Sequence, residues 1–220
     1  LACHSLDQVA RMHSFIPPLL GLFLAIMACI ARADEADGAA LYAPCAACHG
    51  AAAEGNVDLQ APRLNHLRPV YILAQLDKFQ RGLRGGTAAS VAAQQMAESS
   101  DLLPTAERLP ELAFYISELT SPASSSTLQG GDPVAGGKSF MRLCGACHGA
   151  NAGGNVALNA PRLAGADDWY LLAQLQAFRE GQRGRHREDR SGRQMRNMAA
   201  MLADEQAMQD VIAYIRSQQE

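Results

Sequence analysis

Aromatic side chains are scarce in this chain, only 5% of its 220 residues. That is thin filling for compact cores, and it implies that something besides side chains supplies part of the interior. A basic excess is missing too. The formal net charge is −3, which excludes the electrostatic footprint of a nucleic-acid binder. No convincing apolar–polar alternation appears, so strands are not expected and the chain reads as all-α. Nor is there an unbroken apolar run of the roughly 20 residues that a membrane-spanning helix needs. The most apolar stretch, Phe15 to Ile30, is interrupted by Pro17 and Pro18.

That stretch, "FIPPLLGLFLAIMACI", ends in "ARA" ahead of the acidic "DEADG". A short apolar segment before an A-x-A site reads as a secretory signal peptide over residues 1–33, cleaved after Ala33. Export to the periplasm is the expectation. Two starts fit the leader: Met12, which has no Lys or Arg after it, and Leu1, which brings in Arg11. "IMAC" at 26–29 distantly resembles a lipoprotein acceptor with Cys29 as its lipid site, but the A-x-A site is the better match.

Cysteine is confined as well. Of six cysteines, Cys3 and Cys29 lie in the leader, and the other four lie in "CAACHG" at 45–50 and "CGACHG" at 144–149. No thiol remains for a disulfide framework. The motifs stand 99 positions apart, and the same offset carries "GNV" at 55–57 onto 154–156 and "APRL" at 61–64 onto 160–163. It also carries Tyr71 and "AQL" at 74–76 onto Tyr170 and 173–175, and "YI" at 115 onto 214. One fixed offset means a duplicated unit of small-domain size. The expected domains are 34–121 and 134–220, joined by a linker at 122–133 within the Ser-, Gly- and Pro-rich "SPASSSTLQGGDP". Each copy should hold three to five short helices with long loops. "PVYILAQLDKFQRG" and "TAERLPELAFYISEL" show helical spacing in the first copy, and Thr105 is the expected N-cap of the latter.

C-x-x-C-H is the attachment signature of c-type haem. Cys45 and Cys48, and again Cys144 and Cys147, are expected to form thioethers to the porphyrin, while His49 and His148 ligate iron. Two covalent haems per chain follow. The competing reading is a Cys₄ zinc site. It is disfavoured by the 95 residues separating Cys48 from Cys144, and zinc gives no reason for histidine to follow each pair.

A methionine thioether as sixth ligand makes an electron carrier, whereas an open position permits oxygen or peroxide chemistry. Beyond the leader the first copy contains Met96 alone, and the offset carries it onto Met195. This register-matched pair is the expected axial set, with Met198, Met201 and Met208 as core filler. His66 and His186 do not match in register and read as surface residues. Pro62 and Pro161, in "APRL", are candidates to accept the ring N–H of His49 and His148 through their carbonyls.

Together the two C-x-x-C-H sites, the "PRL" after each, the "YLLAQLQAFREG" helix, "MRNMAAML" around Met195 and the terminal "YI" resemble the dihaem cytochrome c4 family over the whole mature chain. The resemblance implies two class I cytochrome c folds with haems facing each other near the domain interface. It also implies a periplasmic carrier, often at the membrane surface, that feeds a membrane-bound oxidase or takes electrons from a quinol-oxidising complex. The same duplicated plan occurs in the dihaem subunit of flavocytochrome sulfide dehydrogenase, whose partner is a flavoprotein. A dihaem peroxidase is a more distant relative, and it should lack one axial methionine.

Charge divides between the copies. Residues 34–121 hold 11 acidic and 6 basic residues, and residues 122–220 hold 10 acidic and 11 basic ones. Seven arginines fall between Arg179 and Arg196. That run reads either as a solvated loop or as a docking patch on the methionine side of the second haem.

Overall fold

The computed structural model describes residues 37–218. The expected leader, with Met12, Cys29 and Ala33, lies outside them. Among the described residues the structure is helical, and β-pairing is limited to the isolated bridges Asn56–Ala61 and Asn155–Ala160. Residues 37–40 are helical. From residue 41 onward the chain forms one packed unit with two halves.

The first half contains α1 (41–49), α2 (Pro69–Gln80), α3 (Val91–Glu98), a 3₁₀ turn (Ser99–Leu102) and α4 (Leu109–Glu118). The second contains α5 (Pro133–Leu143), a single turn α6 (Gly145–His148), α7 (Asp168–Arg179), α8 (Arg190–Ala199) and α9 (Glu205–Arg216). Local chemistry sets these limits. Pro69 and Pro133 occupy the first turn of α2 and α5, where a missing N–H costs nothing. Ser90, Asp132, Asp189 and Asp204 cap α3, α5, α8 and α9 through side-chain oxygens. Thr105 does not cap α4. Its carbonyl accepts from the N–H groups of Arg108 and Leu109, forming a turn, and the helix starts four residues later with Pro110 in its first turn.

Each half has its own apolar core. Tyr42, Ile72, Leu76, Leu112, Ala113 and Ile116 make the first, with Tyr42 and Tyr115 rings 5.9 Å apart. Phe140, Leu171, Leu202, Met208, Val211, Ile212 and Ile215 make the second. There α5 crosses α9 at Gly136, where any Cβ would run into the Asp210 backbone. Of the methionines expected as filler, Met208 is fully buried and Met198 half-buried, but Met201 is exposed.

The connecting segment has no helix, yet it is held at both ends. Arg63 donates to Ser121 Oγ and to the Pro122 carbonyl at 2.5 and 2.7 Å. Asp168, fully buried, accepts from Ser126 Oγ, from the Thr127 hydroxyl and N–H, and from the Leu128 N–H. The neighbouring Asp167 accepts from the Arg63 N–H at 2.8 Å. Lys78 of α2 ion-pairs with buried Asp189 at 2.6 Å and donates to Ser191, tying the first half to the start of α8.

Candidate functional site

The two C-x-x-C-H loops fold alike. His49 ends α1 and His148 ends α6, and both rings are buried. Nδ1 of His49 lies 2.8 Å from the Pro62 carbonyl, and Nδ1 of His148 lies 3.0 Å from that of Pro161. A carbonyl only accepts, so each Nδ1 carries the proton and each Nε2 keeps a free lone pair for a metal. Burial lowers both histidine pKa values against the opposing pull of the proline carbonyl, which keeps the rings neutral, as a ligand must be.

The repeated "GNV" and "APRL" make this contact possible. Gly55 N–H bonds to the His49 carbonyl and Gly154 N–H to that of His148, at 2.9 and 2.8 Å. The chain then pairs Asn56 with Ala61 and Asn155 with Ala160, which brings each proline back beneath its histidine. Gly55 and Gly154 have φ of +84° and +81°, and a Cβ would come within 2.6 and 2.5 Å of the Arg63 and Arg162 amide nitrogens. Only glycine meets both demands.

None of the four described cysteines is in a disulfide. Burial pushes the Cys45 thiol up, and burial together with Cys147 pushes Cys144 up to about 11. Among the described residues no three His, Cys, Asp or Glu side chains converge to hold a metal ion, so the Cys₄ zinc alternative is not assembled.

A second feature fits haem, and sequence reasoning missed it. Arg84 and Arg183, equivalent under the offset of 99, meet between the halves. Arg84 donates to Gln75 of its own half at 2.9 Å and to Tyr170 and Gln174 of the other at 2.7 and 3.3 Å. Arg183 reciprocates, reaching Gln174 at 2.6 Å and Tyr71 and Gln75 at 3.2 and 2.8 Å. Each guanidinium lies over its own half's phenylalanine, Phe79 or Phe178, at 4.6 and 4.5 Å. Burial and the neighbouring Arg183 lower the Arg84 pKa, while Tyr71, Tyr170 and the more distant Asp189 raise that of Arg183 against its burial; among the described residues no carboxylate is within ion-pair distance of either group. Two adjacent buried cations with no anion in direct contact are costly. The carboxylates of haem suit such a cradle. The pairing of Tyr71, Gln75 and Arg84 with Tyr170, Gln174 and Arg183 was visible in the repeat, but the direction of those side chains was not.

Met96 lies on α3, half-buried against the first core, and Met195 lies half-buried at the equivalent place on α8. His186 is exposed, as expected. His66 is not a surface residue. Its Nδ1 is buried without a hydrogen-bond partner, and its Cβ stands 3.0 Å from where a Cβ on Gly165 would be. The arginine run also divides. Arg183 belongs to the buried network and Arg179 is half-buried, leaving Arg185, Arg187, Arg190, Arg193 and Arg196 exposed. No described helix is long and apolar enough to cross a membrane.

Comparison with known proteins agrees with this geometry. The cytochrome c family profile matches residues 35–120 and again 133–219. The chain is 31% identical to cytochrome c4 of Azotobacter vinelandii, over 79% of this chain and 84% of that one. It is also 31% identical to the thiosulfate dehydrogenase electron acceptor of Thiomonas intermedia, over 78% and 81% of the two chains. The solved cytochrome c4 of Acidithiobacillus ferrooxidans superposes with a TM-score of 0.63 at 26% identity, covering 80% of this chain and 99% of that one.

Proposed function

The chain belongs to the cytochrome c family as a tandem, dihaem relative of cytochrome c4, and on that premise we propose that it is a periplasmic carrier passing electrons between respiratory-chain partners towards a terminal oxidase. Cys45 and Cys48 bind one haem c covalently, and Cys144 and Cys147 bind the other. When bound, each haem supplies a reversible one-electron iron couple.

The protein's part is to hold and tune. His49 and His148 present Nε2 in a fixed tautomer because the Pro62 and Pro161 carbonyls occupy Nδ1. We assign Met96 and Met195 as sixth ligands, on their shared register and their shared half-burial on α3 and α8. A soft thioether favours the ferrous state and raises the potential, and it leaves no open position for a substrate. The chain is thus an electron carrier rather than an enzyme, and the dihaem peroxidase reading falls away with both methionines in register.

The observation that carries this reading is the same histidine–proline lock built twice in one packed unit, with Arg84 and Arg183 bridging the halves. Buried cross-links suit two centres held at fixed separation, which is what rapid exchange between them requires. The likeness to the Thiomonas protein supports a second reading, a dedicated acceptor for a sulfur-compound dehydrogenase. The flavoprotein-partnered sulfide dehydrogenase subunit belongs to the same class.

The deciding experiment is purification from the periplasmic fraction, followed by a reduced spectrum, a haem-to-chain ratio and titration of both potentials. Two acid-resistant haems, two methionine-to-iron signatures and negligible peroxide turnover are expected. One haem per chain, or a ligand-accessible iron, overturns the carrier reading. Stoichiometric co-purification with a dehydrogenase chain selects the second.

A further inference from the structure

Each axial histidine is held by one peptide group, and the two peptides differ on their far side. The Pro62 carbonyl accepts from His49 Nδ1, and the N–H of the same peptide, that of Arg63, donates to Asp167 Oδ2 at 2.8 Å. Asp167 belongs to the second half. A single peptide thus stands between the ligand of the first haem and a carboxylate brought by the other half. The matching peptide, Pro161–Arg162, accepts from His148 in the same way. Among the described residues its N–H meets no acceptor. The offset of 99 puts Arg68 where the second half has Asp167, so the first half has no carboxylate to return.

The carboxylate is placed at the expense of its own helix. Asp167 is the N-cap residue of α7, where an aspartate normally accepts from first-turn N–H groups. Its side chain makes no such bond. Among the described residues the Arg63 N–H is its one hydrogen-bond donor, in a site where Arg63 and Asp167 are 7% and 5% exposed. The Arg63 guanidinium does not compete for it. Nε stands 3.8 Å from Asp167 Oδ1 and makes no hydrogen bond, while the terminal nitrogens turn to Asn65, Ser121 and the Pro122 carbonyl. Arg162, the counterpart of Arg63, is exposed.

A peptide whose N–H is held by a carboxylate carries a more negative carbonyl oxygen, because hydrogen bonds in a chain polarise one another. Here the first link is charge-assisted and buried, which strengthens it. The Pro62 carbonyl therefore draws the Nδ1 proton of His49 more strongly, and that raises the basicity of Nε2. The two histidine contacts run in this order, 2.8 Å in the first half and 3.0 Å in the second. A more basic imidazole favours ferric iron and lowers the potential.

We propose that Asp167 tunes the first haem from the other half of the molecule, lowering its potential through the Pro62–Arg63 peptide and His49. The proposal rests on the carrier reading and adds to it that the packing of the halves sets part of the gap between the two potentials. Asp167 is a positioning residue in this scheme, since it acts on iron only through His49. Adhesion between the halves does not by itself call for a carboxylate on a backbone N–H. The guanidinium of Arg63 is at hand for an ion pair, and it is left at 3.8 Å.

The test is redox titration of the dihaem protein with each haem followed separately by NMR, together with the Nδ1–H resonances of His49 and His148 in the reduced state. Asp167→Asn keeps an acceptor oxygen and removes the charge, whereas Asp167→Leu removes both. The first potential should rise in each variant, more in the leucine one, and the second should move far less. Electron sharing between the haems should shift towards the first by up to about tenfold, which is about 59 mV for a one-electron couple. The His49 Nδ1–H resonance should move upfield as its hydrogen bond weakens, and that of His148 should stay. Ser121→Ala frees the Arg63 side chain from the linker without touching the peptide, and should leave both potentials unchanged. An unmoved first potential in the Asp167 variants overturns the proposal, as does an equal rise of both potentials. A rise in Ser121→Ala as large as in Asp167→Leu also overturns it, making Asp167 an adhesive contact. A rise with an unmoved His49 resonance overturns the peptide route. If the leucine variant fails to hold both haems, the asparagine variant decides alone. Fewer than two haems, or a missing methionine signature, in the parent protein would instead count against the carrier reading itself.

Discussion

Arg84 donates a 2.7 Å hydrogen bond to the hydroxyl of Tyr170, 86 residues further along the chain. Its repeat partner Arg183 returns the gesture to Tyr71 at 3.2 Å. This reciprocal crossing shows that the halves meet through equivalent residues, with a two-fold relation that no single copy implies.

Tyr170→Phe should therefore destabilise the protein by about 1.5–3 kcal/mol, the range for a hydrogen bond to a charged group. Tyr71→Phe should cost less, since its bond is longer. A double-mutant cycle between Arg84→Leu and Tyr170→Phe, read by chemical denaturation, should give a coupling of about 0.5–3 kcal/mol. Strict additivity would mean the contact does not form in solution.

The histidine locks depend on Gly55 and Gly154. Gly154→Ala places a Cβ at positive φ against the Arg162 amide, and costs on the order of 1–3 kcal/mol in backbone strain alone. It should also loosen the His148–Pro161 contact, which makes the imidazole a weaker donor and should raise the potential of the second haem only. Redox titration of the variant checks this, and an unshifted pair of potentials would detach the glycine from the lock.

Removing Met96 or Met195 should each abolish one methionine–iron signature and lower one potential by stripping the thioether that favours ferrous iron. Removing Met198 or Met208 should leave both irons six-coordinate, although Met208→Ala should cost about 2–5 kcal/mol as a core deletion. If Met198→Ala opens the second haem while Met195→Ala does not, the repeat register is misassigned.

His66 gives the fold an acid-sensitive point. Burial, with Arg162 and Arg63 nearby, holds its pKa down to about 3, against 6.5 for a free imidazole. Between those values the unfolded chain binds more protons than the folded one, so stability rises with pH there. Stability should fall as pH drops below about 6.5, the free value, and stop falling on this account near 3. His66→Gln should flatten that part of the profile in thermal melts from pH 7 to 4. A slope identical to the parent's would mean that His66 is solvated.

Much of this protein was legible before any fold was known. The duplication, the haem-bearing motifs, the register of Met96 with Met195 and the all-α class all follow from short-range spacing, because haem attachment and helical periodicity are local demands on sequence. The Pro62 and Pro161 carbonyls were also readable, since "GNV" and "APRL" recur at a constant distance from each histidine.

What tertiary structure alone decided is where long-range partners lie. Thr105 looked like a cap, but Pro110 fits the first turn of a helix that starts later. His66 looked superficial until the second half closed over it at Gly165. The seven arginines from 179 to 196 read as one patch, yet Arg183 turns inward to the other half while five of its neighbours face water. The composition marked 122–133 as the linker but not what it touches, and buried Asp168 holds it. For Arg183 and for the linker the sequence supplies the charge or the polar group, and which atoms satisfy it depends on segments some 40 to 110 positions away, because burial makes an unpaired polar group costly and selects whichever partner packing brings near.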